Sequence, residues 1–206
     1  REALVRASQA RPRDVQLRLL LAHRLEDDGD PTGALRELDG ALEVDPALVE
    51  ALALRGRLCL LVGRAKDASL SLSDALRLHP RDVDALVLRA EAHLALGRLD
   101  AAKTDAQEAA SIDPTRVDPQ LALGHVARAR GAPLEASACY AEAARLAPQD
   151  PRPHQHRGEL LLERGAFEEA RDAFERGVER GGGAAAGMGQ GAALAALGAL
   201  VAARLA

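Results

Sequence analysis

The sequence predicts an all-α protein in which helical hairpins stack on one another. One row of prolines and one row of glycines recur with the same 34-residue period, and the apolar residues between them follow helical spacing. The prolines are Pro12, Pro46, Pro80, Pro114 and Pro148, and the glycines are Gly29, Gly63, Gly97, Gly131 and Gly165. A period kept over this length indicates stacked repeats, because a single globular core would not impose one spacing.

Each repeat is predicted as a helix, a glycine turn, a second helix and a proline break. Glycine suits the residue after a helix end, which often adopts a left-handed conformation. Proline ends the second helix because it has no amide hydrogen and restricts the residue before it. Counted from Val15, the five repeats cover residues 15–48, 49–82, 83–116, 117–150 and 151–184.

Apolar and small residues define the faces on which these helices pack. In residues 49–82, Leu52 and Leu58 lie on one stripe of the first helix, and Leu72 and Ala75 lie on one stripe of the second. Two rows of small residues are predicted where helix backbones approach closely. They are Ala22, Gly56, Ala90, Gly124 and Gly158 in the first helices, and Ala34, Ala68, Ala102, Ala136 and Ala170 in the second helices.

The two ends of the chain depart from the five repeats. Residues 1–14 match the end of a preceding repeat, so we expect a second helix there and a natural protein that extends further toward its N-terminus. Residues 185–206 are rich in alanine, and no charged residue occurs from Gly181 to Ala203. We expect a degenerate helix that caps the fifth repeat or associates with another molecule. A membrane span is the disfavoured alternative, because seven of those 23 residues are glycine.

Composition and motifs argue against several classes of function. The net charge is −4 with both signs interspersed, and only Tyr140, Phe167 and Phe174 are aromatic, so no nucleic-acid surface is predicted. Cys59 and Cys139 are predicted to be buried free thiols rather than a disulfide, which slightly favours the cytoplasm. His154 and His156 are two residues apart and point to different faces of a helix, and His23 and His125 lie three repeats apart, so neither pair predicts a metal site. No catalytic motif occurs, so we expect no enzyme, no cofactor and no metal.

The pattern of small residues, alanines and prolines resembles the tetratricopeptide repeat family. That family has a small residue at position 8 of a 34-residue repeat, alanine at 20, an aromatic residue or leucine at 24 and proline at 32. Position 24 in this chain holds Leu38, Leu72, Ala106, Tyr140 and Phe174. The resemblance implies a right-handed α-solenoid superhelix of helix–turn–helix repeats.

Position 7, commonly leucine in that family, is arginine in three repeats. These arginines are Arg55, Arg89 and Arg157. We expect their stems to lie on neighbouring helices while the guanidinium groups stay in water. A ladder of buried ion pairs is the alternative, disfavoured because burying charges requires their desolvation.

The resemblance also implies a binding surface, because the first helices of this family line a concave groove with positions 2, 5, 9 and 12. The partner-binding residues implied here are Leu19, His23, Arg57, Leu60, Val87, Glu91, Leu94, Leu121, His125 and Arg128. An apolar centre with a charged rim suits an extended peptide or an amphipathic helix. The alternative is that the leucines pack between neighbouring first helices.

Two functional hypotheses follow from the resemblance. The favoured one is a scaffold or adaptor that binds a protein segment in its groove. The other is a recognition arm or assembly subunit of a larger enzyme or secretion machine that lies outside these residues.

Overall fold

A computed structural model describes the backbone of residues 2–205 and the side chains of residues 4–6, 8–183 and 187–197. Within this range the chain forms twelve α-helices and no β-strand, which confirms the all-α class. The chain divides into two compact units, Arg1–Ile112 and Asp113–Ala206. They are called the N-terminal unit and the C-terminal unit below.

The helices follow one another with short connections. In the N-terminal unit they are α1 (Glu2–Ala10), α2 (Val15–Asp27), α3 (Pro31–Val44), α4 (Val49–Leu61), α5 (Ala65–Leu78), α6 (Val83–Ala95) and α7 (Leu99–Ile112). In the C-terminal unit they are α8 (Val117–Ala129), α9 (Pro133–Leu146), α10 (Arg152–Glu163), α11 (Phe167–Glu179) and α12 (Gly183–Leu205). Each of α2, α4, α6, α8 and α10 packs on the helix that follows it. These five are the first helices, and α3, α5, α7, α9 and α11 are the second helices.

Glycine ends each first helix because the turn needs a left-handed residue. Gly29 has a φ of 75°. Its amide donates to the Glu26 carbonyl at 2.9 Å, and the next amide, that of Asp30, donates to the Leu25 carbonyl at 2.8 Å. These bonds satisfy carbonyls that the end of α2 leaves without a helical partner. Gly131 closes α8 in the same way, with a φ of 70°.

The second helices begin directly after these turns. At α3 the side chain of Asp30 accepts a hydrogen bond from the amide of Gly33 at 2.8 Å, and Pro31 is the first helical residue. An acidic N-cap followed by proline is a favourable helix start. The cap carboxylate accepts a hydrogen bond from an amide that has no helical partner, and proline has no amide hydrogen that would need one. The chain therefore reverses direction over very few residues.

Small residues let the helices of each pair approach closely. In the N-terminal unit, Ala34, Ala68 and Ala102 have no solvent exposure. In the C-terminal unit, the ring of Tyr140 lies against Gly124 and the ring of Phe174 lies against Gly158. A β-carbon at Gly158 would lie 2.7 Å from Cε1 of Phe174, so the aromatic ring occupies the volume that a larger residue would need.

The last helix, α12, packs against α10 and α11. Its Gly189 lies over the ring of Phe174, and its Ala193 is fully buried in a cluster with Ala170 and Phe174. Contact between this segment and the fifth pair of helices is therefore present in the structure, whereas self-association through residues 185–206 stays a prediction. In the part of the chain that the structure describes, no helix has the length and hydropathy needed to cross a bilayer.

Candidate interaction surface on the first helices

Three of the residues implied to bind a partner lie in the cores of their units. Leu19 and Val87 are 4% and 7% exposed in the N-terminal unit, and Leu121 is 5% exposed in the C-terminal unit. All three belong to clusters of buried apolar side chains. The burial fits the alternative of packing between helices, and contact of these residues with a partner stays a prediction.

The remaining implied residues are at least partly accessible. Leu60, Leu94, His23, His125 and Arg128 are half-buried. Arg57 and Glu91 are exposed. The accessible members of this set are therefore mainly charged residues and histidines, with two half-buried leucines in the N-terminal unit.

An ion pair joins neighbouring first helices in the N-terminal unit. Arg57 of α4 binds Glu26 of α2 through both ends of its guanidinium, with Nη1–Oε1 at 2.6 Å and Nη2–Oε2 at 2.9 Å. His23 Nε2 lies 3.5 Å from Oε1 of Glu50. The basic and acidic groups alternate across the two helices, and the Arg57 side chain keeps 51% of its surface in solvent.

The C-terminal unit has the same pair with the charges reversed. Arg128 of α8 donates from Nη1 to Glu159 of α10 at 2.9 Å, and from Nε to Glu163 at 3.1 Å. Partners in both Arg128–Glu159 and Glu26–Arg57 stand 31 residues apart. Position 12 is acidic and position 9 basic in the N-terminal pair, whereas position 12 is basic and position 9 acidic here.

Two histidines and a tyrosine lie beside Arg128. The ring centroids of His125 and His156 are 4.5 Å apart, and His125 meets Tyr140 edge-on at 5.8 Å. Burial, followed by the nearby His156 and the Arg128 charge, lowers the pKa of His125 to about 4. His156 Nδ1 lies 3.7 Å from Glu159, and contact with His156 and Arg128 lowers the pKa of Glu159 to about 2. At neutral pH the cluster therefore presents a neutral His125 beside an ionised Glu159 and Arg128.

Residues that could serve a metal or redox role are sparse. No group of three or more histidine, cysteine or acidic side chains with metal-binding geometry occurs among the described residues. Cys59 is buried and Cys139 is half-buried, and neither forms a disulfide. Burial raises the pKa of the Cys59 thiol, so the unreactive protonated form is favoured there.

Comparison with known proteins settles the family. The family model described as tetratricopeptide repeat matches residues 19–68, 61–117 and 121–185, which is most of the chain. The chain belongs to the tetratricopeptide repeat (TPR) family. No curated protein matches the sequence directly. The family assignment, together with the twelve helices of the described range, confirms a TPR α-solenoid of helix–turn–helix repeats.

Solved TPR structures resemble the chain closely in fold. A thermophilic TPR protein from Thermus thermophilus, TTC0263, superposes with a TM-score of 0.75 at 24% identity, covering 89% of this chain and 98% of that one. A TPR protein from Parabacteroides merdae ATCC 43184 gives a TM-score of 0.78 at 20% identity, with 87% and 71% covered. YrrB, described as a TPR protein with an unusual peptide-binding site, gives 0.62 at 18% identity, with 90% and 96% covered. At these identities the likeness establishes the fold.

Two of the three arginines at TPR position 7, Arg55 and Arg89, form ion pairs. Arg89 donates from Nε and Nη2 to both oxygens of Asp105, at 2.8 and 2.7 Å. The Asp105 side chain is only 7% exposed. Arg55 donates from Nε to Asp39 at 2.6 Å and from Nη1 to Ser71. The expectation of solvated guanidinium groups is therefore wrong for Arg89, because a buried two-point carboxylate contact compensates for its desolvation.

The sequence comparison missed the pairing of His125 with His156. Histidines at equal positions of different repeats are multiples of 34 residues apart, whereas His125 and His156 are 31 residues apart. The Glu26–Arg57 and Arg128–Glu159 ion pairs between adjacent first helices also join residues 31 apart. The separation is shorter than the period by about one helical turn, so a search at 31 residues finds this pair.

Proposed function

We propose that this TPR protein is an interaction scaffold that binds an extended segment or a helix of a partner protein along the exposed faces of its first helices. The observation that carries the proposal is the pair of ion bridges between adjacent first helices, Glu26–Arg57 and Arg128–Glu159. Each bridge leaves charged donors and acceptors partly in solvent, where a partner's polar groups can reach them. The proposal assigns the chain no catalytic role.

The composition of these faces suits a peptide ligand. Half-buried Leu60 and Leu94 stand among charged groups in the N-terminal unit, and His125 stands beside Arg128 in the C-terminal unit. An interface typically combines an apolar centre with a polar rim. YrrB, described as a TPR protein with an unusual peptide-binding site, is a precedent for peptide binding on the same fold.

Exchanging the charges of the C-terminal bridge tests the proposal. The triple variant Arg128→Glu with Glu159→Arg and Glu163→Arg exchanges the charge of Arg128 with those of both its partners on α10, so it keeps the ion pairs between α8 and α10 and copies the polarity of Glu26–Arg57. Folding stability should stay within about 0.5 kcal/mol of the parent, as for most surface changes. Partner affinity should fall at least about tenfold, equivalent to about 1.4 kcal/mol. The partner is first captured from extract of the source organism with the parent chain, and both chains are then titrated against it by calorimetry.

The control exchanges a comparable pair on a second helix. Arg145 and Glu142 of α9 form an exposed ion pair at 2.7 Å. The double variant Arg145→Glu with Glu142→Arg should bind the partner as the parent does. Equal loss in both variants, or unchanged binding in the α8–α10 variant at unchanged stability, would reject binding at this face.

A further inference from the structure

Arginine at TPR position 7 makes the same two contacts in two repeats. Arg89 binds Asp105, 16 residues later, and Ser73, 16 residues earlier. Arg55 likewise binds Ser71, 16 residues later, and Asp39, 16 residues earlier. Each arginine thus bridges the second helix of its own repeat to the second helix of the preceding repeat.

Arg157 occupies the same position in the fifth repeat but has lost both acceptors. The residues 16 positions before and after it are Ala141 and Ala173. Its Nε is buried and has no hydrogen-bond partner among the described residues. A buried guanidinium N–H without an acceptor is unfavourable, and native structures rarely keep one without a reason.

A pocket of about 130 Å³ lies beside this group. It is lined by His154, Arg157, Glu169, Asp172, Ala173 and Arg176. Asp172 already forms an ion pair with Arg171, in which Oδ1 lies 2.6 Å from Nη2. Burial, and then the positive charges of Arg180, Arg176 and Arg157, lowers the pKa of His154. Arg157 and Arg176 therefore line one pocket, and Ala173 on its wall has the repeat position that Asp105 holds in the third repeat.

We propose that Arg157 and Arg176, with His154 beside them, form a binding site for a carboxylate group supplied by another molecule. The carboxylate would take the place that Asp105 occupies against Arg89, where a planar carboxylate accepts two guanidinium N–H groups. A singly charged carboxylate fits better than a phosphate, because Glu169 and Asp172 on the pocket wall repel additional negative charge. The site lies between α10 and α11 and is independent of the charged bridges that carry the proposed scaffold function.

Nuclear magnetic resonance of the arginine side chains in the full chain tests the site directly. The Nε–H resonance of Arg157 is followed during titration with sodium acetate, and with sodium chloride at equal ionic strength. It is also followed with a blocked Gly-Glu-Gly peptide, and with its Gly-Gln-Gly analogue. We expect saturable shifts at Arg157 with acetate or with the glutamate peptide, and none with chloride or the glutamine peptide. The resonance of Arg89 is the internal control and should stay fixed, because Asp105 already occupies it.

The probes also distinguish the source of the carboxylate. A response to both acetate and the glutamate peptide assigns a site open to free small carboxylates. A response to the peptide alone assigns an acidic side chain of a protein partner. Sulfate shifting Arg157 as strongly as acetate would overturn the carboxylate assignment, and absence of any saturable shift would overturn the site.

Two variants test the pocket in complementary ways. Ala173→Asp places a carboxylate where the third repeat has Asp105, so it should raise the melting temperature and abolish the response of Arg157 to added carboxylate. Arg157→Met keeps the apolar stem and should reduce affinity for the glutamate peptide at least about tenfold. An Ala173→Asp protein that melts lower than the parent, with Arg157 still responding to acetate, would contradict the proposed geometry.

Discussion

Alanine at position 124 should destabilise the protein because Tyr140 already fills the space beside Gly124. A methyl group there would lie 2.7 Å from Cδ1 of the tyrosine ring and closer still to Cε1. The five repeats pair position 8 with position 24 according to size. These pairs are Ala22–Leu38, Gly56–Leu72, Ala90–Ala106, Gly124–Tyr140 and Gly158–Phe174. Both aromatic residues thus face glycine, whereas alanine faces only leucine or alanine.

The expected change in unfolding free energy for Gly124→Ala is the difference between two opposing contributions. Replacing glycine by alanine inside a helix favours folding by about 1 kcal/mol. Overpacking a filled core costs about 1–3 kcal/mol, and the rigid ring of Tyr140 cannot move its contact atoms by bending. We expect Gly124→Ala to lose up to about 2 kcal/mol of unfolding free energy, the difference between these contributions. A methyl group at Gly56 would lie 2.5 Å from Cγ of Leu72, but a leucine can change rotamer where a rigid ring cannot, and Ala22 already coexists with Leu38. Gly56→Ala should therefore lose less unfolding free energy than Gly124→Ala.

Thermal unfolding followed by circular dichroism at 222 nm measures the stability of each variant relative to the parent. For a chain of this size 1 kcal/mol corresponds to about 2–4 °C in melting temperature. Gly124→Ala should therefore melt below the parent, and Gly56→Ala should melt higher than Gly124→Ala. The double variant Gly124→Ala with Tyr140→Leu should melt higher than the sum of the single changes predicts, because leucine relieves the clash. A Gly124→Ala protein as stable as the parent, or a purely additive double variant, would refute the packing argument.

Two further outcomes are expected. Ala102→Leu should cost about 1–3 kcal/mol, since Ala102 has no exposure at a close helix crossing, and a melting temperature equal to that of the parent would show that the position is not tightly packed. The second concerns pH: the folded pKa of His125 is about 4, below its ordinary 6.5, so the unfolded chain binds the additional proton between these values. Stability is then fully present above about pH 6.5 and falls by at most about 3 kcal/mol as pH decreases toward 4. His125→Gln should flatten unfolding free energy against pH in that range, and an unchanged slope would contradict the shift.

The sequence predicts the fold well because its 34-residue period corresponds to one pair of helices in the structure. Gly29 and Gly131 mark helix ends by a conformation that other residues rarely adopt, and the structure has both at positive φ. The rows of alanine predict close helix crossings, and Ala34, Ala102 and Ala136 are fully buried. These features depend on local backbone geometry and side-chain size, which one sequence contains directly.

The surface is less predictable because burial depends on neighbouring helices. Leu19, Val87 and Leu121 recur at a position that can face either a groove or the adjacent first helix, and both roles require the same residue type. Their exposures of 4, 7 and 5% appear only once the helices are packed. Arg89 gives the opposite case, since nothing in its spacing indicates that Asp105 is buried enough to hold it out of water. Accessibility and ion pairing are properties of the packed stack.

The reversed polarity of the two bridges separates stability from recognition. A Coulomb attraction depends on the product of the two charges, so exchanging arginine and glutamate between neighbouring helices leaves the attraction within the pair nearly unchanged. Folding stability is therefore nearly indifferent to whether position 12 holds Glu26, as in the N-terminal unit, or Arg128, as in the C-terminal unit. The affinity of a ligand that approaches from solvent does depend on this choice, because the ligand meets a different order of donors and acceptors on each face. Charge exchange at Arg128, Glu159 and Glu163 thus changes the charge pattern that a partner would recognise while conserving the ion pairs between α8 and α10.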